Sequence, residues 1–339
     1  MLDLVDEKLS TVPVEDKINF AKEMELAAKG FDKRVNNIRT SSYQEAKYSV
    51  YLANSTGFLS SYHGSYCGGY AYLLAEEDGD TQTGFGVQYS LKYDDLDPNK
   101  IGVEAAQKAV QMLGATTINT QKASIVLDPY IATNFLGLIA PALTGEAVIK
   151  GKSLFADKAG NQIAATEVNV IDDGAKPGGI MTAPFDGEGI ATSKTLLVKD
   201  GVLQGFLHNT YTGLKMNQKS TGNATRSSFK TTPEVGTTNF YIDKGQTTRD
   251  KLIGEIAKGF YITEVMGMHT ANPISGDFSL GAAGIWIENG QFTKPVRGVA
   301  IAGNIIDLLK SVDCVGDDLT FFVGKGSPTI RISQMTISG

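Results

Sequence analysis

Past residue 145 the chain consists of short apolar runs, each cut off within a few residues by Gly, Asp or Asn. A helix needs about ten or more residues of unbroken helical periodicity, so this punctuation favours antiparallel strands joined by tight turns. Two segments carry the signal in its strongest form. In KTLLVKDGVLQGFLH (194–208), Lys199-Asp200-Gly201 supplies an Asp-Gly turn between two strand-like runs. GIWIENGQFTKPV (284–296) repeats the device with Asn289-Gly290. TIRISQMTISG (329–339) closes the chain as a strand pair.

The first third reads differently. Residues 15–29 are a helix, with Pro13 before them and Gly30 after them as punctuation. KYSVYLAN (47–54) and YCGGYAYLLAE (66–76) are rich in β-branched and aromatic residues and read as strands. DGDTQTG (78–84) reads as a turn. Val103, Ala106, Val110 and Leu113 recur at helical spacing within a helix over 98–113 that Gly114 caps. QKASIVLDP (121–129) is a short strand. YIATNFLGLIAPALTG (130–145) is a mostly apolar helix that bends or ends near Pro141. Short helices are expected at 249–259 and 302–312. At 339 residues the chain exceeds a single small core. The expected architecture is α+β, with a helix-and-sheet region over 1–116 and a β-rich domain over 117–339.

Charge and composition narrow the function classes. A net charge of −6, with no long Lys/Arg block, argues against a nucleic-acid face. No apolar run is long enough to span a membrane, and MLDLVDEKLS lacks the plan of a secretory signal. Cys67 and Cys314 stand far apart in no metal spacing and read as small buried hydrophobes in a reducing cytoplasm.

Familiar catalytic spacings are mostly missing. His63, His208 and His269 form no ligand pair of the H-E-x-x-H type. There is no G-x-S-x-G elbow and no phosphate-binding G-x-x-x-x-G-K-[ST] loop. Ser227-Ser228-Phe229-Lys230 fits S-x-x-K, in which a lysine activates a serine, but it lies in loop-like sequence. Asp94, Asp95 and Asp97, Asp172-Asp173 and Asp317-Asp318 flank turns and read as solvated carboxylates. Two polar, Gly-containing stretches stand out: KSTGNATR (219–226) and HTANPISGDFSLGAAGIWIENG (269–290). Loops of this kind, held between rigid strands, often carry function. Ser220, Asn223, Arg226, His269 and Asp277 are the candidates for a peptide-facing surface, against the alternative of tight structural loops in which Asn223 and Asp277 make side-chain turns.

Taken together, the chain resembles the TldD/PmbA family, the modulator-of-gyrase or peptide-maturation proteases. The resemblance rests on GEAVIKGKSLFADKAGNQIA (145–164), APFDGEGIATSKTLLVKDGVLQGFLHNTYTG (183–213), STGNATR (220–226), the 269–290 stretch, PVRGVAIAGNIIDLL (295–309) and GSPTIRISQMTISG (326–339). Residues 1–116 fit more loosely, through KINFAKEMELAAKGFDKRV (17–35) and ANSTG (53–57).

The resemblance implies two kinds of subunit. The TldD kind binds zinc through H-E-x-x-x-H on a helix and a C-terminal cysteine. In FLGLIAPALTGE the corresponding positions hold Gly137, Leu138 and Ala142, none of which binds metal or moves a proton. No cysteine occurs in 315–339. A zinc site needs three protein donors and an open position. The resemblance is therefore to the PmbA/TldE kind, whose nearest motif is GDFSLGAAGIWIENG (276–290). It implies a cytoplasmic subunit with no cofactor and no catalysis of its own, paired with a TldD-like zinc subunit, or with itself, on extended peptides. It also implies a small α/β domain ahead of the point where Met1 stands, so this chain is expected to be a truncated, mis-started or naturally short form. Two alternatives stay open: a regulatory protein of the gyrase-modulator type, and a metal-free Ser–Lys hydrolase or one using His269 with Asp277.

Overall fold

The structure, a computed structural model, describes residues 2–339. Its N-terminal part is one antiparallel sheet carrying two helices. Strands β1 (Val35–Ala53), β2 (Leu59–Glu77) and β3 (Asp80–Ser90) lie in that order, covered by α1 (Val14–Phe31) and α2 (Pro98–Gln111). The helices start where their caps dictate. Pro13 precedes α1, whose first turn carries Glu15 and Asp16 near the positive end of the helix dipole. Asp97 caps α2 by accepting a hydrogen bond from the Lys100 N–H, with Pro98 behind it. α1 runs through Gly30 rather than stopping before it.

The segment expected as a turn is mostly strand. Only Asp78-Gly79 turns, with both residues at positive φ, and β3 then runs along β2. Gly84 and Gly86 let α2 lie directly on β3, because a Cβ on either would run into the carbonyl oxygen of Ala105 or Ile101. Phe20, Met24, Leu73, Ile101 and Ala105 fill the space between helices and sheet. The outer half of β2 pairs with β1 alone, so the hairpin projects as a two-stranded ribbon.

The C-terminal part holds two six-stranded sheets. One runs β13 (Gln291–Asn304), β12 (Asp277–Glu288), β11 (Lys258–Met266), β4 (Gln121–Leu127), β17 (Ile330–Ser338), β14 (Val312–Val315). The other runs β15 (Thr320–Phe322), β16 (Lys325–Ser327), β10 (Phe240–Ile242), β5 (Val170–Asp173), β6 (Lys194–Lys199), β7 (Val202–Leu203). β8 (Ala224–Thr225) and β9 (Glu234–Val235) form a separate small ribbon. Asp200-Gly201 and Asn289-Gly290 both adopt positive φ at the expected hairpin turns. The closing segment is a single irregular strand rather than a pair, and it pairs with β4, β13 and β14.

Helix α3 (Pro129–Ile139) contacts strands of both sheets. Asp128 caps it, and the chain breaks into a 3₁₀ turn at Pro141–Leu143 before α4 (Gly145–Ile149). Proline lacks the N–H that would continue the helix, so the expected bend falls in place. Ile125, Phe135, Phe155, Val170, Phe240, Phe260, Trp286 and Ile332 make the shared core. Three short helices complete the C-terminal part: α5 (Thr210–Lys215), α6 (Arg249–Gly254) and α7 (Ile305–Lys310). The last two are shorter than expected, since β11 begins at Lys258 and β13 extends to Asn304, whose side chain caps α7.

The two parts touch at several points. Met112 and Ala115 pack on Ala283 and Ile285. Phe185 receives Phe58 and Tyr62 of the long ribbon edge-on, at 5.3 and 5.2 Å between ring centres. Among the described residues no helix is long and apolar enough to cross a membrane.

Candidate functional site

A groove of about 660 Å³ runs along the end of α3. Gly137, Ala140 and Pro141 form its floor, and Thr144, Glu146, Ala147 and Lys150 of the next turn and α4 continue it. Val235, Gly236 and Thr237, Pro273 and Ile274, and Lys152 and Lys325 complete its lining. Most of the lining is apolar.

The 235–237 wall is fixed from inside. Asp172 is fully buried on the interior strand β5. It accepts hydrogen bonds from the Thr238 N–H (2.7 Å), the Thr238 hydroxyl (2.8 Å) and Asn223 Nδ2 (2.6 Å). Asn223 Nδ2 also donates to the Gly236 carbonyl at 3.1 Å. Burial pushes the Asp172 carboxyl upward, and these donors oppose the shift. Asp186 holds the same loop by accepting from the Ala224 N–H at 3.0 Å, and burial raises its carboxyl as well.

These positions correct two expectations. Asp172 is not a solvated turn carboxylate, because neighbouring strands on both sides enclose it. Asn223 does not face a peptide, because its side chain is turned inward onto Asp172 and Thr221. The other candidates lie apart. Ser220 donates to the His208 carbonyl, and Arg226 ties the Gly187 and Thr231 carbonyls together. His269 is exposed in a short 3₁₀ turn. Asp277 accepts hydrogen bonds from Asn304 and Ser275, which hold its carboxyl low, and it makes no hydrogen bond with His269. The 269–290 stretch reaches the groove through Pro273 and Ile274 instead.

Ser227 bonds Thr231, while the Lys230 ammonium sits over the Phe229 ring, so no serine is offered a base there. Cys67 is buried and its thiol is pushed up to about 12 by desolvation. His208 is buried against Thr212, and desolvation lowers its pKa.

The zinc-helix positions do not fit a metal. Gly137 lies within α3, but Ala142 falls beyond the Pro141 break and is buried. Leu138 packs against the core. A Cβ on Gly137 would stand 2.7 Å from the Lys325 ammonium, so a cation already fills the space a side chain from that position would enter. Among the described residues no three His, Cys, Asp or Glu side chains gather as a ligand set. Lys152 lies in the 145–164 stretch and Pro273 and Ile274 in the 269–290 stretch, but nothing local in the sequence joins them to each other or to Lys325, and only the fold assembles them.

Comparison with known proteins bears on the same region. The PmbA/TldA metallopeptidase C-terminal domain matches residues 120–339, and the central domain of that family matches 7–113. Metalloprotease PmbA of Escherichia coli O157:H7 is 28% identical over 329 residues, spanning 97% of this chain and 71% of the relative. The crystal structure of a Thermotoga maritima protein, described as a candidate modulator of a DNA gyrase, superposes with a TM-score of 0.94 at 28% identity, over 100% of this chain and 77% of that one. TldE of Thermococcus kodakarensis, 23% identical, shares the fold with a TM-score of 0.91 over 99% of this chain and 76% of that chain.

Proposed function

The chain belongs to the PmbA/TldD metallopeptidase family, and from that premise we propose that it is the metal-free, PmbA/TldE-type subunit of a cytoplasmic peptidase complex. In this reading it holds extended, unstructured peptides while a TldD-like zinc subunit cuts them. The observation that carries the reading is the α3 end of the groove. Gly137, Leu138 and Ala142 supply no donor, and only Gly137 lines the groove, with the Lys325 ammonium against it, yet the groove there is open and mostly apolar. A surface that has lost its chemistry and kept its cleft suits a subunit that binds rather than cuts. Main-chain pairing with an exposed strand edge would hold peptides with little regard to side chains. The same surface, lacking a zinc partner, would pair two copies of this chain.

The test is zinc content and casein cleavage for the purified chain, alone and mixed with a TldD-like subunit from the same source. No zinc, no cleavage alone and cleavage in the mixture is the expected result. Stoichiometric zinc with cleavage by the chain alone overturns the reading. A mixture that binds but never cleaves favours the gyrase-modulator alternative.

A further inference from the structure

We propose that the groove beside Gly137 seats a carboxylate of an extended peptide on the Lys325 ammonium. The inference rests on the peptide-holding reading above and adds the chemical class of what is held. Three observations carry it.

The first is charge. Of the three lysines lining the groove, Lys150 is paired with Glu146 and lies near Glu234. Lys152 and Lys325 have no ion-pair partner among the described residues. A chain of net charge −6 thus presents a locally cationic cleft.

The second is placement. The absence of a side chain at Gly137 is what lets the Lys325 ammonium lie over the last turns of α3. The negative end of that helix favours a cation there.

The third is the turn that delivers Lys325. Phe322 pairs with Lys325, so Val323-Gly324 is a two-residue connection, and Val323 has φ +59°. A β-branched residue is strained in that region, where glycine or asparagine is the usual occupant. Strain of this kind persists where surrounding structure holds a functional group in place.

The carboxylate has two sources, a peptide C-terminus or an Asp or Glu side chain, and the experiment separates them. Three fluorescein-labelled Ala/Val/Gly peptides are titrated against the full chain by anisotropy: one with a free C-terminal carboxylate, its C-terminal amide, and the amide with one internal aspartate. The free acid, the aspartate peptide or both are expected to bind about tenfold tighter than the plain amide. Lys325→Gln should abolish the preference, and Lys325→Arg should keep it, with circular dichroism showing both variants folded. Equal binding of all three peptides, or a preference that survives Lys325→Gln, overturns the carboxylate assignment and leaves the peptide-holding reading standing. Failure of every peptide to bind overturns both.

Discussion

Asn223 illustrates how a polar residue in a flexible-looking sequence becomes a structural one. KSTGNATR has the composition of a functional loop, and local composition cannot report what a distant strand brings alongside it. The fold brings Asp172, and Asn223 then joins that carboxylate to the Gly236 carbonyl in the groove wall. Asn223→Ala leaves both acceptors short of a donor, an expected cost of about 2 kcal/mol, read as a lowered urea midpoint. An unchanged midpoint would mean that the Thr238 donors suffice alone. His208 makes a prediction in pH. Its folded pKa is lowered by desolvation, so its contribution to stability is present above the ordinary value of 6.5 and is lost as pH falls through the lowered folded value. Thermal melts of the native chain between pH 7.5 and 5 should therefore fall more steeply than those of His208→Gln. Parallel curves for the two would remove His208 as the cause.

At the scale of elements, what was legible was what local chemistry controls. The Asp-Gly and Asn-Gly hairpins, the capped α2 and the break at Pro141 all follow from backbone preferences a few residues wide. β3 was not legible. DTQTGFGVQYS carries two glycines because α2 lies against that strand, and those glycines dilute the strand signature and read as a turn. Gly84→Ala is expected to cost about 3 kcal/mol or more, because the added methyl meets the Ala105 carbonyl and backbone must move. A melting temperature within a degree or so of the native value would show that α2 can lift away freely.

For the whole molecule, the long ribbon links the two parts by laying Phe58 and Tyr62 on Phe185. Phe185 is nearly buried there although it sits in a connection between strands. Phe185→Ala is expected to free the ribbon tip, with local loss of about 3 kcal/mol of packing. Brief protease treatment should then cut within 53–58 many times faster while the β-rich core melts as before. Unchanged cleavage would place the anchor of the tip elsewhere.

By itself the sequence determined the α+β class, the main turns, the family and the missing donors at Gly137, Leu138 and Ala142, because each depends on residue identity at one place or over a short span. Tertiary structure alone decided the groove. Its lining comes from the end of α3, from 235–237 and 273–274, and from Lys325, which a turn at 323–324 delivers and which has no ion-pair partner among the described residues. These segments are scattered along the chain, and sheet pairing brings them together, which no local pattern encodes. The same pairing buried Asp172 and Asn223 and left Lys325 free in the groove.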